Sequence, residues 1–195
     1  MTFVVQPHLL NRCLFYVLNK MPKRKKLDIC RECHRSERPA ISAAKLGHAN
    51  CLTTAYRELG VFNERDDFGA TPIHFAARNG KLDCLVWLVT RSGVSPNAVS
   101  RNGATAAHDA AAMGHLECLQ YLLKNTKCSA QDTTAEGATV LHMACRFGRL
   151  EVVKWLMEYS GSSPGERGAN DVTPVHLCAA KGELEKGGGA DTIEA

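Results

Sequence analysis

Gly69-Ala70-Thr71-Pro72-Ile73-His74 opens a phrase that the chain writes four times. It returns as Gly103-Ala104-Thr105-Ala106-Ala107-His108, as Gly137-Ala138-Thr139-Val140-Leu141-His142, and as Asp171-Val172-Thr173-Pro174-Val175-His176. His74, His108, His142 and His176 are spaced by 34 residues each time. Self-similarity at that period marks a solenoid of stacked helical hairpins, an all-α architecture. It also moves the functional question from chemistry in a pocket to recognition on a surface.

One repeat can be read residue by residue. Thr71 ahead of Pro72 is a helix start, because Thr caps the exposed amides and Pro at the first helical position forfeits no bond. Ile73, Phe75, Ala76 and Ala77 supply a short helix that Asn79-Gly80 ends. Leu82, Leu85, Val86, Leu88 and Val89 fall at helical spacing and predict a second. Gly93 breaks it, and Ser95-Pro96-Asn97 opens a polar turn into the next repeat. Neither helix can bury its apolar face alone, so neighbours must stack.

This frame divides the chain. Residues 1–36 are a basic, poorly structured segment. Residues 37–186 are the array: a degenerate cap over 37–68, where Ile41 stands in place of the repeated histidine, then 69–102, 103–136, 137–170 and an incomplete 171–186. Residues 187–195 form a glycine-rich disordered tail, since Gly187-Gly188-Gly189 cannot sustain a second helix.

Charge and cysteine usage narrow the class. The segment 1–36 holds eight of the 24 Lys and Arg and two of the 20 Asp and Glu, a balance of +6 that leaves −2 for the rest. The array therefore lacks the one-sided basic face that nucleic acid demands. Gln6, His8, Asn11 and Arg12 interrupt the apolar start, so no membrane-spanning stretch is read there. Cysteines number nine, an odd count, and Cys51, Cys84 and Cys118 recur at one repeat position while Cys145 sits among alanines. They read as small core residues with reduced thiols, in a cytoplasmic setting.

The repeats resemble the ankyrin family through Gly-x-Thr-Pro-x-His-x-Ala-Ala-x-x-Gly at 69–80, and the likeness covers about 37–186. Arg101-Asn102-Gly103-Ala104-Thr105, His108-Asp109-Ala110, Gly114-His115-Leu116 and Cys118-Leu119-Gln120 look like espin repeats, as do Arg146-Phe147-Gly148 and Glu151-Val152-Val153. Asp109 stands where the general ankyrin pattern prefers Leu. The resemblance implies a cytoskeletal role at actin filament bundles, with a class III myosin tail bound by the array and actin engaged only indirectly. It also implies that the repeated histidines bond neighbouring backbone. A general cytosolic ankyrin adaptor or regulator is the alternative within the binding class.

No nucleophile–base pair, phosphate loop or paired carboxylates emerge, so neither an enzyme nor a cofactor is read. The run Lys23–Lys26 is either a targeting or anionic-surface patch or a solvated tail. Cys30-Arg31-Glu32-Cys33-His34 has the literal form of a haem attachment motif, which needs an export route. A zinc reading joins Cys30, Cys33, His48 and Cys51 as C-x2-C and H-x2-C halves. His48 aligns with Lys81 and His115, and Cys51 with Cys84 and Cys118, so repeat packing explains the second half and no metal site is assigned. The remaining candidates are partner-binding positions at turn tips and first-helix ends: Asp67, Phe68, Arg78, Asn79, Arg101, Asn102, Met113, Glu136, Arg146, Phe147, Asn170 and Lys181. Arginine beside aromatic anchors is the composition of binding hot spots. Met113 and Phe147 read equally as fillers between repeats. The expected form is a monomer.

Overall fold

The computed structural model describes residues 30–59, 64–168 and 171–182. Most of the basic segment, including Lys23–Lys26, lies outside the described residues, as do Asn170 and the tail 187–195. The described residues carry ten helices: α1 Arg31–Arg35, α2 Pro39–Leu46, α3 Ala49–Leu59, α4 Pro72–Arg78, α5 Leu82–Arg91, α6 Ala106–Met113, α7 Leu116–Asn125, α8 Val140–Arg146, α9 Leu150–Tyr159 and α10 Pro174–Lys181. Helices α2/α3, α4/α5, α6/α7 and α8/α9 form hairpins, and α10 opens the last repeat. The first helices α2, α4, α6, α8 and α10 pack in one column, and α3, α5 and α7 in a second. The short α1 packs against α2 and lies inside the segment 1–36 that the sequence leaves without structure.

Composition explains the two columns. Ala76, Ala77, Ala106, Ala107, Ala110, Ala111 and Ala144 are buried in the first helices, where small side chains let backbones approach. The second helices contribute Leu85, Leu88, Leu119, Leu122 and Leu156, all fully buried. Each such leucine contributes about 1.5–3 kcal/mol by leaving water. Cys84 and Cys118 sit in the same layer, and burial pushes both thiols up to about 11.

The histidines knit the repeats together. Thr71, Thr105, Thr139 and Thr173 occupy the N-cap in extended conformation, and each forms a capping box with the histidine three residues on. In the first, the Thr71 amide donates to His74 Nδ1 at 3.2 Å. That leaves Nε2 protonated, and it donates to the Ala104 carbonyl of the next repeat at 3.0 Å. His108 reaches Ala138 O at 3.2 Å and His142 reaches Val172 O at 3.0 Å in the same way. A histidine therefore does the work of the usual Glu in the box and adds a bond across the repeat boundary. Burial lowers the pKa of His74 and His108, which favours this neutral form.

The turn tips are linked as well. The Arg101 amide donates to Phe68 O at 2.8 Å, and the Ala135 amide to Asn102 O at 2.8 Å. Gly103 makes the second link possible: its φ is +76°, and a Cβ there would sit 2.7 Å from the Ala135 nitrogen.

Candidate functional site

The face built from turn tips and first helices holds every described candidate. Phe68 is 76% exposed at the first tip, and Met113 and Phe147 are 40% and 43% exposed at the ends of α6 and α8. Arg101, Asn102, Glu136, Arg146 and Lys181 are exposed too. Three other candidates are engaged within the molecule. Asp67 pairs with Arg38 at 2.8 Å, and that guanidinium holds its carboxyl below the usual range. Asn79 donates to Phe75 O at 2.8 Å, closing its own helix. Arg78 grips Asp109 of the next repeat with bonds of 3.0 and 3.2 Å and lies 5.5 Å over the Phe75 ring. Burial raises the Asp109 pKa despite that partner.

Register explains the face. Phe75, Asp109, Met143 and Leu177 share one repeat position, and Asp109 is its polar exception. Beside the last two, a cleft of about 360 Å³ opens between α8, α10 and the turn before α10. Met143, Val172 and Leu177 give it apolar walls, while Glu136 and Arg146 supply charge. Met143 and Leu177 are absent from the candidates read from sequence. The 34-residue register was the available signal, because Asp109 marks the same column.

A second cluster lies at the start of the array. The ligand atoms of Cys30, Cys33, His48 and Cys51 all lie within 4.8 Å of one another. Cys30 Sγ is 3.2 Å and Cys33 Sγ 3.5 Å from His48 Nδ1, and the Cys30 amide donates to Cys51 Sγ at 3.4 Å. A hydrogen bond from the Cys33 backbone is the main cause that brings the Cys30 thiol down to about 7, while burial pushes Cys33 up. Cys51 lies in the apolar core with Cys84 and Cys118, as its register expects, but the His48 ring is placed differently from its counterparts. His115 bonds Arg78 O at 3.2 Å and Arg149 bonds Ala112 O at 2.9 Å, each reaching back across one repeat, whereas the His48 ring faces two cysteines. The neighbouring His34 belongs to α1.

Among the described residues, no helix is long and apolar enough to cross a membrane. A family model described as ankyrin repeats (3 copies) matches residues 40–132, 83–166 and 126–186. The chain therefore belongs to the ankyrin-repeat family, and its repeats make it a protein-interaction module.

Proposed function

We propose that this ankyrin-repeat protein holds an acidic, partly apolar protein segment on its concave face, in an espin-like role at actin filament bundles. A class III myosin tail is the partner of choice, and actin is reached only through it. The observation that carries the reading is the cleft beside α8 and α10, where an apolar wall of Met143, Val172 and Leu177 meets Arg146 at the surface. Phe147 adjoins Arg146, and Phe68 and Met113 extend the exposed apolar positions along the array. Asp109, which carries the espin likeness, is held by Arg78 across the repeat boundary. The mechanism is preorganisation: links between repeats fix these side chains in register, so little entropy is lost on binding.

The experiment is surface plasmon resonance against a class III myosin tail, with circular dichroism on each variant. Arg101→Glu with Arg146→Glu should slow association and change its salt dependence. Arg78 is left intact because its guanidinium already holds Asp109. Phe147→Ala should speed dissociation, costing about 2 kcal/mol as an anchor. Unchanged binding by folded variants would remove the concave face from the account, and no binding by the wild-type chain would remove the myosin tail.

A further inference from the structure

We propose that Cys30, Cys33, His48 and Cys51 bind one zinc ion that locks the start of the repeat array. The four side chains come from three places: the turn into α1, α1 itself, and the beginning of α3. Three thiolates and an imidazole are the donor set of structural zinc, whose tetrahedral bonds of about 2.3 Å to sulfur and 2.0–2.1 Å to nitrogen place ligand atoms about 3.6–3.8 Å apart. The two sulfur–nitrogen separations of 3.2 and 3.5 Å fall close to that edge, and the 4.8 Å limit on all pairs leaves little to close. A fourth protein ligand completes the shell, so the site is structural and not catalytic.

The rest of the array shows why these residues sit together. At the His48 position the later repeats place Lys81, His115 and Arg149, and each covers a glycine of the repeat before it: Gly47, Gly80 and Gly114. His115 and Arg149 also bond carbonyls there. Among the described residues the repeat containing His48 is preceded by α1 and not by a hairpin, and α1 presents Cys33, which is fully buried in the core. Cys51 diverges in the same way. Its counterpart Cys84 points to Ala43 O at 4.0 Å, whereas Cys51 accepts from the Cys30 amide. Among the described residues this repeat has a repeat neighbour on one side only, and such an end needs a cap. Zinc ties α1 over that open end, and its binding stabilises the fold there.

The test uses the full chain, purified without chelator and then titrated with zinc or cobalt. The expected result is about one metal per chain, since a single four-ligand shell is formed, with the visible bands of tetrahedral thiolate-bound cobalt. Cys30→Ser and His48→Ala should each lose most of the metal and alter the bands, while Cys118→Ala retains both. Removing the metal should speed amide exchange over 30–51 and leave α8 and α9 protected. Absence of cobalt bands in the wild-type chain overturns the proposal even if a variant fails to fold. So does full metal content in folded Cys30→Ser and His48→Ala, or a Cys30–Cys33 disulfide in protein that takes up no zinc. The result is independent of myosin binding, since the cluster lies at the opposite end of the array from the cleft.

Discussion

Arg78 and Asp109 offer a measurable link between two repeats. The Asp109 side chain is 13% exposed and that of Arg78 39%, so the pair is neither a surface bridge nor a buried one. A surface pair contributes about 0–1 kcal/mol, while stripping the partner from a fully buried charge costs about 3–5 kcal/mol. The exposed guanidinium discounts the second figure, and protonation gives the carboxyl a way out, because burial already raises its pKa. Arg78→Ala should therefore cost about 2 kcal/mol, including about 0.5 kcal/mol from the Phe75 contact. Asp109→Leu should stay within about 1 kcal/mol of the wild type, because apolar replacement of a buried ionic group is often neutral. Phe75, Met143 and Leu177 show that the column accepts apolar side chains. In the Asp109→Leu background, Arg78→Ala should cost only the contact with Phe75 and its own packing, about 0.5 kcal/mol. The coupling is then about 1.5 kcal/mol, well outside the error of additivity. Urea unfolding of the four proteins measures it, with two probes to check for a single transition. Equal costs of Arg78→Ala in both backgrounds would show that the bond adds nothing across the repeat boundary.

Two other perturbations follow from the inter-repeat links. Gly103→Ala must adopt a positive φ, at about 1–2 kcal/mol, and also press a Cβ against the Ala135 nitrogen. Gly93→Ala carries only the first penalty, because nothing lies within 4 Å of its Cβ. Urea midpoints should place Gly103→Ala clearly below Gly93→Ala, and equal midpoints would remove the tip contact from the argument. Acid should weaken the array, because burial lowers the pKa of His74 and His108 while the unfolded chain protonates near the ordinary 6.5. Below that value the unfolded state binds more protons, so stability is complete above it and falls with pH towards the depressed folded values. The charges of Asp109, Arg78 and Arg65 act on His74, and those of Asp132 and Asp109 on His108. The raised pKa of Asp109 acts in the opposite sense, with stability lost as pH rises above its ordinary 3.8. Urea midpoints taken at about pH 7.5 and 5.5 bracket the histidine range, and a flat profile would refute the buried neutral histidines.

The helices were legible because the information that sets them is local. Threonine caps, glycine ends and apolar spacing recur through the repeats from 69 to 170, and α4 to α9 form where that chemistry places them. The candidate face was legible only in part. Exposure of Phe68, Met113 and Phe147 follows from their register, but the use of Arg78 depends on Asp109, 31 residues away in the next repeat. An arginine at a helix end carries no local sign of which carboxylate it will meet. The cleft escaped for the same reason, since its walls come from two repeats.

The start of the array shows where register reasoning fails. Alignment assigns His48 and Cys51 the duties of His115 and Cys118, and that inference assumes that each repeat has the same neighbour. Among the described residues, the element that the first one meets is α1. Among these residues no hairpin precedes it, and the His48 ring bonds no carbonyl as His115 bonds Arg78 O. The partners it has are Cys30 and Cys33, the residues of the C-x2-C motif that the repeat pattern does not explain. A solenoid's interior positions are constrained by repetition, but its ends are constrained by what covers them. Departures from the repeat at a terminus are therefore where a distinct chemistry can be read, and a histidine whose aligned relatives bind backbone becomes a ligand candidate when its own ring bonds none.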